Sequence, residues 1–138
     1  MITEDYVSFE TAKLLKEKGF DEYGMYFYTL EDEGEEGYKS NKRLQEFAHN
    51  SHPELEKRAV SCPTLQMAMK WLRDVHDLII SVSFTVHGWL CDITKVFRDS
   101  NGFIVNINHG IGDDSLPYCD EHEEACEAAI KYCLENLI

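Results

Sequence analysis

Apolar residues recur along this 138-residue chain with two different periods, and the places where the period changes mark out its elements. From Ser8 to Phe20, Phe9, Ala12 and Leu15 share one face at helical spacing, while Lys13, Lys16, Glu17 and Lys18 take the other, which predicts an amphipathic helix. Ser8 suits its N-cap, and Glu10 brings a negative charge to the positive end of the helix dipole. Gly19 suits the left-handed ending, with Phe20 folded back on Leu15. "YGMYFYTL" has the aromatic content of a strand, and "EDEGEEGYKSN" after it reads as a solvated loop or hairpin tip. "RLQEFAHNSHPELEKRAVS" is the least regular part, with a turn or two of helix around Leu44 to His49 broken at Pro53.

The stretch "CPTLQMAMKWLRDVHDLIISVSF", Cys62 to Phe84, carries the clearest change. Pro63 suits a first helical position, and Leu65, Ala68, Leu72 and Val75 form an inward stripe that Met69 and Trp71 widen. His76 falls where its ring can meet the last helical carbonyls. At Asp77 the period drops to two. Leu78, Ile80, Val82, Phe84 and Val86 are expected on the core side, with Ile79, Ser81, Ser83, Thr85 and His87 on the other.

Gly88 reads as a turn, after which Trp89, Cys91, Ile93 and Phe97 alternate onto one face. "DSNG" is a hairpin signal, "FIVNIN" the returning strand, and "GIGDDSLP" a loop. Asp120, with Glu123 three residues on, has the form of a capping box. It opens a last helix whose inward stripe is Cys126, Ala129, Ile130, Cys133 and Leu137.

These elements predict an α+β fold: an antiparallel sheet of about four strands, made of a three-strand meander plus an edge strand, with three helices packed mainly on one face. One domain spanning 1–138 is expected from the length, with an acidic loop and an irregular insert at 31–60.

Three blocks, "YVSFETAKLLKEKGFDE", "CPTLQMAMKWLRDVH" and "EEACEAAIKYCLENLI", resemble a group of small uncharacterised proteins from phages, prophages and other mobile elements of the Bacteroides group. The blocks cover about half of the chain, and each is a packing pattern rather than a chemical motif. The resemblance implies a phage or mobile-element setting and an intracellular location, and it brings no activity with it. The tract Glu31 to Glu36 and the segment Asn41 to Ala59 are longer and more charged here than in that pattern, which marks them as places for an individual specificity.

Composition narrows the function classes. The net charge is −13, from 26 acids against 13 Lys and Arg, so direct binding to nucleic acid is not expected. The same charge allows an acidic surface, with Glu33, Glu35 and Glu36 in its densest run, that imitates nucleic acid toward a basic host defence protein; it also serves plain solubility. The acidic amino terminus "MITEDYVSFE" and the interrupted apolar runs point to a cytoplasmic protein with no membrane association. Five cysteines, an odd number without close pairing, are expected as reduced, mostly buried thiols.

Candidate chemistry is sparse, and no cofactor or catalytic motif is present. Cys119, His122 and Cys126 have ligand chemistry at spacings of three and four, yet the paired spacing of a zinc site is missing. His49 with His52, Asp74 with Asp77, and Asp113 with Asp114 are further pairs without a supporting motif. The outer face of the meander offers Ser83, Thr85 and His87, with Ser81, Asn106 and Asn108 on the same side and Trp89 at the turn as an anchor. The expectation is a non-enzymatic accessory protein that binds another protein, with self-association as a homodimer left open.

Overall fold

A computed structural model describes residues 1–22, 24–32, 38–51, 59–98, 100–102, 104–109 and 117–138. Their contacts form two compact units, Met1–Thr64 and Leu65–Ile138. Together these hold three helices and two antiparallel three-stranded sheets, an α+β architecture.

In the first unit α1 spans Phe9–Glu17. Its start and stop are those read from the sequence: the Ser8 hydroxyl accepts the Thr11 N–H at 3.3 Å, and Gly19 has φ 94. Phe20 N–H donates to the Leu15 carbonyl and Gly19 N–H to Lys16, the paired bonds of a Schellman ending. Val7, Ala12, Leu15, Phe20, Phe27, Val60 and Cys62 are buried in this unit. The strands are β1 (Gly24–Asp32), β2 (Tyr38–Ala48) and β3 (Ala59–Ser61), in the order β2-β1-β3.

Two expectations change here. The strand "YGMYFYTL" does not join the meander as an edge: β1 is the centre of its own sheet, paired with β2 from Gly24↔Ala48 to Asp32↔Tyr38 and with β3 at Phe27↔Ser61. The helical turn expected from Leu44 falls mostly in β2. Its sequence, YKSNKRLQEFA, lacks strand alternation; the ladder with β1 supplies backbone hydrogen bonds that side-chain pattern does not advertise. Residues 33–37, the core of the acidic tract, and 52–58 lie outside the described residues.

A buried amide ties the unit together. Asn50 donates from Nδ2 to the Phe20 carbonyl at 2.7 Å and accepts the Ser61 N–H at 2.9 Å, so one side chain links the end of α1 to β3. Ser61 itself is buried, and Lys16 donates to the Ala59 carbonyl at 3.0 Å.

The second unit contains α2 (Leu65–His76), β4 (Leu78–Thr85), β5 (Gly88–Arg98), β6 (Ile104–His109) and α3 (His122–Asn136). The expected meander is present in the order β4-β5-β6. Both helices pack on the face that carries the buried residues Leu78, Cys91 and Ile93, leaving Ser81 and Ser83 exposed on the opposite face.

Helix α2 starts at Leu65 rather than Pro63, because Pro63 and Thr64 are held extended: the Pro63 carbonyl accepts Val7 N–H, and Thr64 bridges to Tyr6. Val75 is 56% exposed, not buried as expected, and His76 turns inward with its ring edge-on to Trp71 at 4.7 Å. His76 Nε2 is buried without a hydrogen-bond partner, so the ring does not cap the final carbonyls. Asp77 makes the change of direction alone, at φ 56, and its carbonyl receives Val96 N–H. At the start of α3 the N-cap is Glu121 without a side-chain capping bond, not Asp120. Leu134 is buried in the stripe, whereas Leu137 is only half-buried.

Two measurements check this junction. A left-handed conformation costs an ordinary L-residue about 1–2 kcal/mol, and Asp tolerates it better than a β-branched residue. Asp77→Val should therefore lower stability in urea by about 1–2 kcal/mol, while Asp77→Gly should leave it level or slightly raised. Burial, then nearby Lys95, pushes the His76 ring below its ordinary value of 6.5, against a smaller opposing effect of Asp77. The unfolded chain then binds this proton more readily than the folded one, so stability should fall as pH drops from 6.5 through the lowered folded value. His76→Phe should lose less stability over that window than the parent; equal losses would contradict the assignment.

Candidate functional site

The hairpin between β4 and β5 is the element on which candidate residues converge. Val86 and His87 form its turn, and Thr85 is spent on holding it: the hydroxyl accepts His87 N–H at 3.1 Å and donates to the Gly88 carbonyl at 2.8 Å. Thr85 is therefore a turn brace, not an open binding group. Gly88 follows at φ 118, and a side chain there would bring its Cβ to 2.7 Å from the Cys119 carbonyl oxygen.

That close approach is a short antiparallel bridge. Trp89 N–H donates to the Cys119 carbonyl and Cys119 N–H donates back to Trp89, both at 2.8 Å. The chain just before α3 is thereby fixed alongside the hairpin, which carries two separate sets of ring contacts. Trp89 lies edge-on to Phe84 at 5.1 Å and to His122 at 5.0 Å, and His87 lies beside Tyr118 at 5.6 Å. Phe84 and Trp89 are cross-strand partners. Phe84 is 72% exposed, Val86 95% and Tyr118 50%, with Trp89 half-buried.

Periodicity had placed Phe84 and Val86 in the core. The alternation holds for Leu78, Ile80 and Val82, but the hairpin continues beyond the buried layer, so Phe84 near the end of β4 and Val86 in the turn are left in solvent. Tyr118 was not a candidate at all; its position follows from the Trp89–Cys119 bridge, which no local sequence signal announces. The cue that was readable is "FTVHGW", three large apolar side chains within two residues of a tight turn, where polar residues are usual.

The other candidates separate. Ser83 is exposed on the outer face. The register sets Asn108 opposite Thr94 and Asn106 opposite Val96, while Ser81 pairs with Asp92 in a separate row. Asp92 Oδ1 is screened from solvent without a hydrogen-bond partner. Glu33, Glu35 and Glu36 lie outside the described residues, as do His52, Asp113 and Asp114.

Cys126 Sγ is 3.7 Å from His122 Nδ1, while Cys119 Sγ turns to the Pro117 carbonyl. Among the described residues no group of three or more His, Cys, Asp or Glu side chains is placed to share a metal ion. Burial, then Glu124 and Asp120, pushes the Cys119 thiol up; burial raises Cys91 as well, and takes Cys133 to about 12. These thiols stay protonated at neutral pH, the wrong state for a nucleophile.

One triad-like cluster emerges that the sequence did not show. Asp21, His49 and Ser51 meet beside a cleft of about 300 Å3 lined by Lys16, Gly19, Phe20, Asp21, Asn50 and Ser51. Its connectivity is not that of a proton relay, in which the two imidazole nitrogens serve different partners. Asp21 Oδ1 and Ser51 Oγ both sit on His49 Nδ1, at 3.0 and 2.9 Å, and the Ser51 hydroxyl is 2.6 Å from Asp21 Oδ2. With Nδ1–H donating to Asp21 Oδ1, the Ser51 hydroxyl donates to Oδ2 of the same carboxylate rather than to the imidazole. Bonds from the Ser51 hydroxyl and N–H and from His49 hold the Asp21 carboxyl below its usual range, against a smaller rise from burial. The cluster is a loop clamp.

No family model, curated protein or solved structure matches the chain. Among the described residues no helix is long and apolar enough to cross a membrane.

The assembly of the aromatic patch is open to a direct check. Gly88→Ala adds a Cβ against a backbone carbonyl at a positive φ, and should cost at least about 2 kcal/mol and quench or shift Trp89 fluorescence. Wild-type stability and spectrum in that variant would refute the bridge.

Proposed function

We propose that the protein is a non-enzymatic binding module, an accessory protein of a phage or mobile element, that engages another protein through the hairpin patch of Phe84, Val86, Trp89 and Tyr118. The observation that carries this reading is the exposure of large side chains on one short hairpin and its border: Phe84 at 72% against a half-buried Trp89, and Tyr118 at 50% beside His87 at the turn. Contiguous exposed apolar surface is uncommon on a soluble chain, and aromatic anchors dominate protein interfaces. Burying a Phe side chain is worth about 1.5–3 kcal/mol, so covering this patch supplies a useful share of a binding free energy. The polar outer face with Ser83 is the weaker surface, because an exposed face of that kind is ordinary for an antiparallel sheet.

A second reading is favoured by the net charge of −13: an acidic inhibitor that imitates nucleic acid toward a basic host defence protein, with Glu33, Glu35 and Glu36 at its centre. Neutralising those three glutamates weakens such binding, whereas it leaves binding through the hairpin patch intact.

The test is affinity capture from host lysate with parent, Phe84→Ser and the triple variant Glu33→Gln, Glu35→Gln, Glu36→Gln in parallel, with circular dichroism as the fold control. The hairpin reading expects one specific partner whose affinity falls at least about tenfold with Phe84→Ser alone. Capture lost only in the triple variant selects the acidic reading, and no specific partner at any salt concentration contradicts both.

A further inference from the structure

The patch has a rim as well as a centre, and the rim carries one sign of charge. The Trp89–Cys119 bridge brings the start of α3 beside the aromatic rings, and this stretch, "PYCDEHEEAC" from Pro117 to Cys126, holds Asp120, Glu121, Glu123 and Glu124. It contains no Lys or Arg, and neither does the hairpin from Val82 to Cys91. Asp120, Glu121 and Glu124 are exposed, and Glu123 is half-exposed near His122, its Oε1 3.8 Å from Nδ1. Glu124 and Asp120 are close enough to the bridge for their charge to be felt at the Cys119 thiol. The first-turn acids Glu123 and Glu124 also sit at the positive end of α3, a favourable position for negative charge.

Aromatic rings bordered by carboxylates form a particular kind of receptor. Ring faces attract a guanidinium or ammonium group, and the acids complete the match. A second copy of this chain is a poor occupant, because it brings the same acidic rim to the contact and like charges meet. We infer that the hairpin patch takes a basic segment of its partner, an Arg or Lys next to an apolar residue, with the cation over the adjoining Phe84 and Trp89 rings and the rim acids as its counter-charges. Arginine suits it better than lysine, since its planar group both stacks and pairs with carboxylates. This inference rests on the hairpin reading of the function and specifies its partner.

The probe is a displayed random peptide library selected on the full chain, with a Phe84→Ser chain as counter-selection. The position is exposed, so this variant should fold, and circular dichroism checks that. Peptides retained by the parent and lost by the variant should share an Arg or Lys beside an apolar residue. Their affinity should fall about tenfold in the Glu121→Gln, Glu124→Gln double variant and also from roughly 50 mM to roughly 500 mM salt, but not in Glu22→Gln, which alters an acid elsewhere in the sequence. Patch-dependent peptides without a basic residue would overturn the inference and leave the hairpin reading standing. No patch-dependent peptide would count against both. Sedimentation showing a dimer that Phe84→Ser dissociates would assign the patch to a second copy and overturn the basic partner.

Discussion

The two hydrogen bonds between Trp89 and Cys119 depend on a glycine. At Gly88 the backbone has φ 118, and the Cys119 carbonyl oxygen occupies the space where any Cβ would go, so conformation and contact separately demand the missing side chain. Once that approach is allowed, the strand end and the chain before α3 form a bridge, and everything proposed for function follows from it. Tyr118 reaches His87, His122 reaches Trp89, and the acids of the first turn of α3 come to the border of the rings. The patch is thus supported by backbone pairing rather than by side-chain packing, which allows its rings to remain exposed without the site losing its shape.

The first unit shows the opposite economy, with polar groups used inside for structure. Asn50 is 6% exposed and satisfies both a carbonyl and an N–H that the chain turns would otherwise strand. Asp21 gathers Ser51 and His49 next to it. Residue types alone make Asp, His and Ser look catalytic; the atoms they share are not connected as a proton relay. Both oxygen partners compete for one imidazole nitrogen, and the serine proton is already committed.

How much of this was legible follows from how local each cause is. Helix α1 was read from Ser8 to Phe20 because cap, stripe and Schellman ending are all encoded within that segment. The meander was legible for the same reason, through the alternation from Leu78 onward and the turn at Gly88. Strand β2 was not, because a polar strand is made by its partner's backbone and leaves no period of its own. The candidate site lay between these cases. Trp89 and His87 were singled out, but Phe84 was assigned to the core, since a period of two says which side a residue faces and not whether anything covers that side. Tyr118 and the acidic rim depend on a contact between residues about thirty apart in sequence, which no pattern within either segment reveals.

The central claim is that aromatic side chains on the hairpin are presented to solvent in order to be covered by a partner. Hydroxyl-radical footprinting measures this directly, on the free chain and on its complex with the captured partner. The account predicts fast oxidation of Phe84, Trp89 and Tyr118 in the free chain, none at Phe20 and Phe27, which are about 1% exposed, and strong protection of the first three in the complex. Phe84 and Tyr118 reacting as slowly as Phe20, or remaining unprotected in the complex, would contradict it.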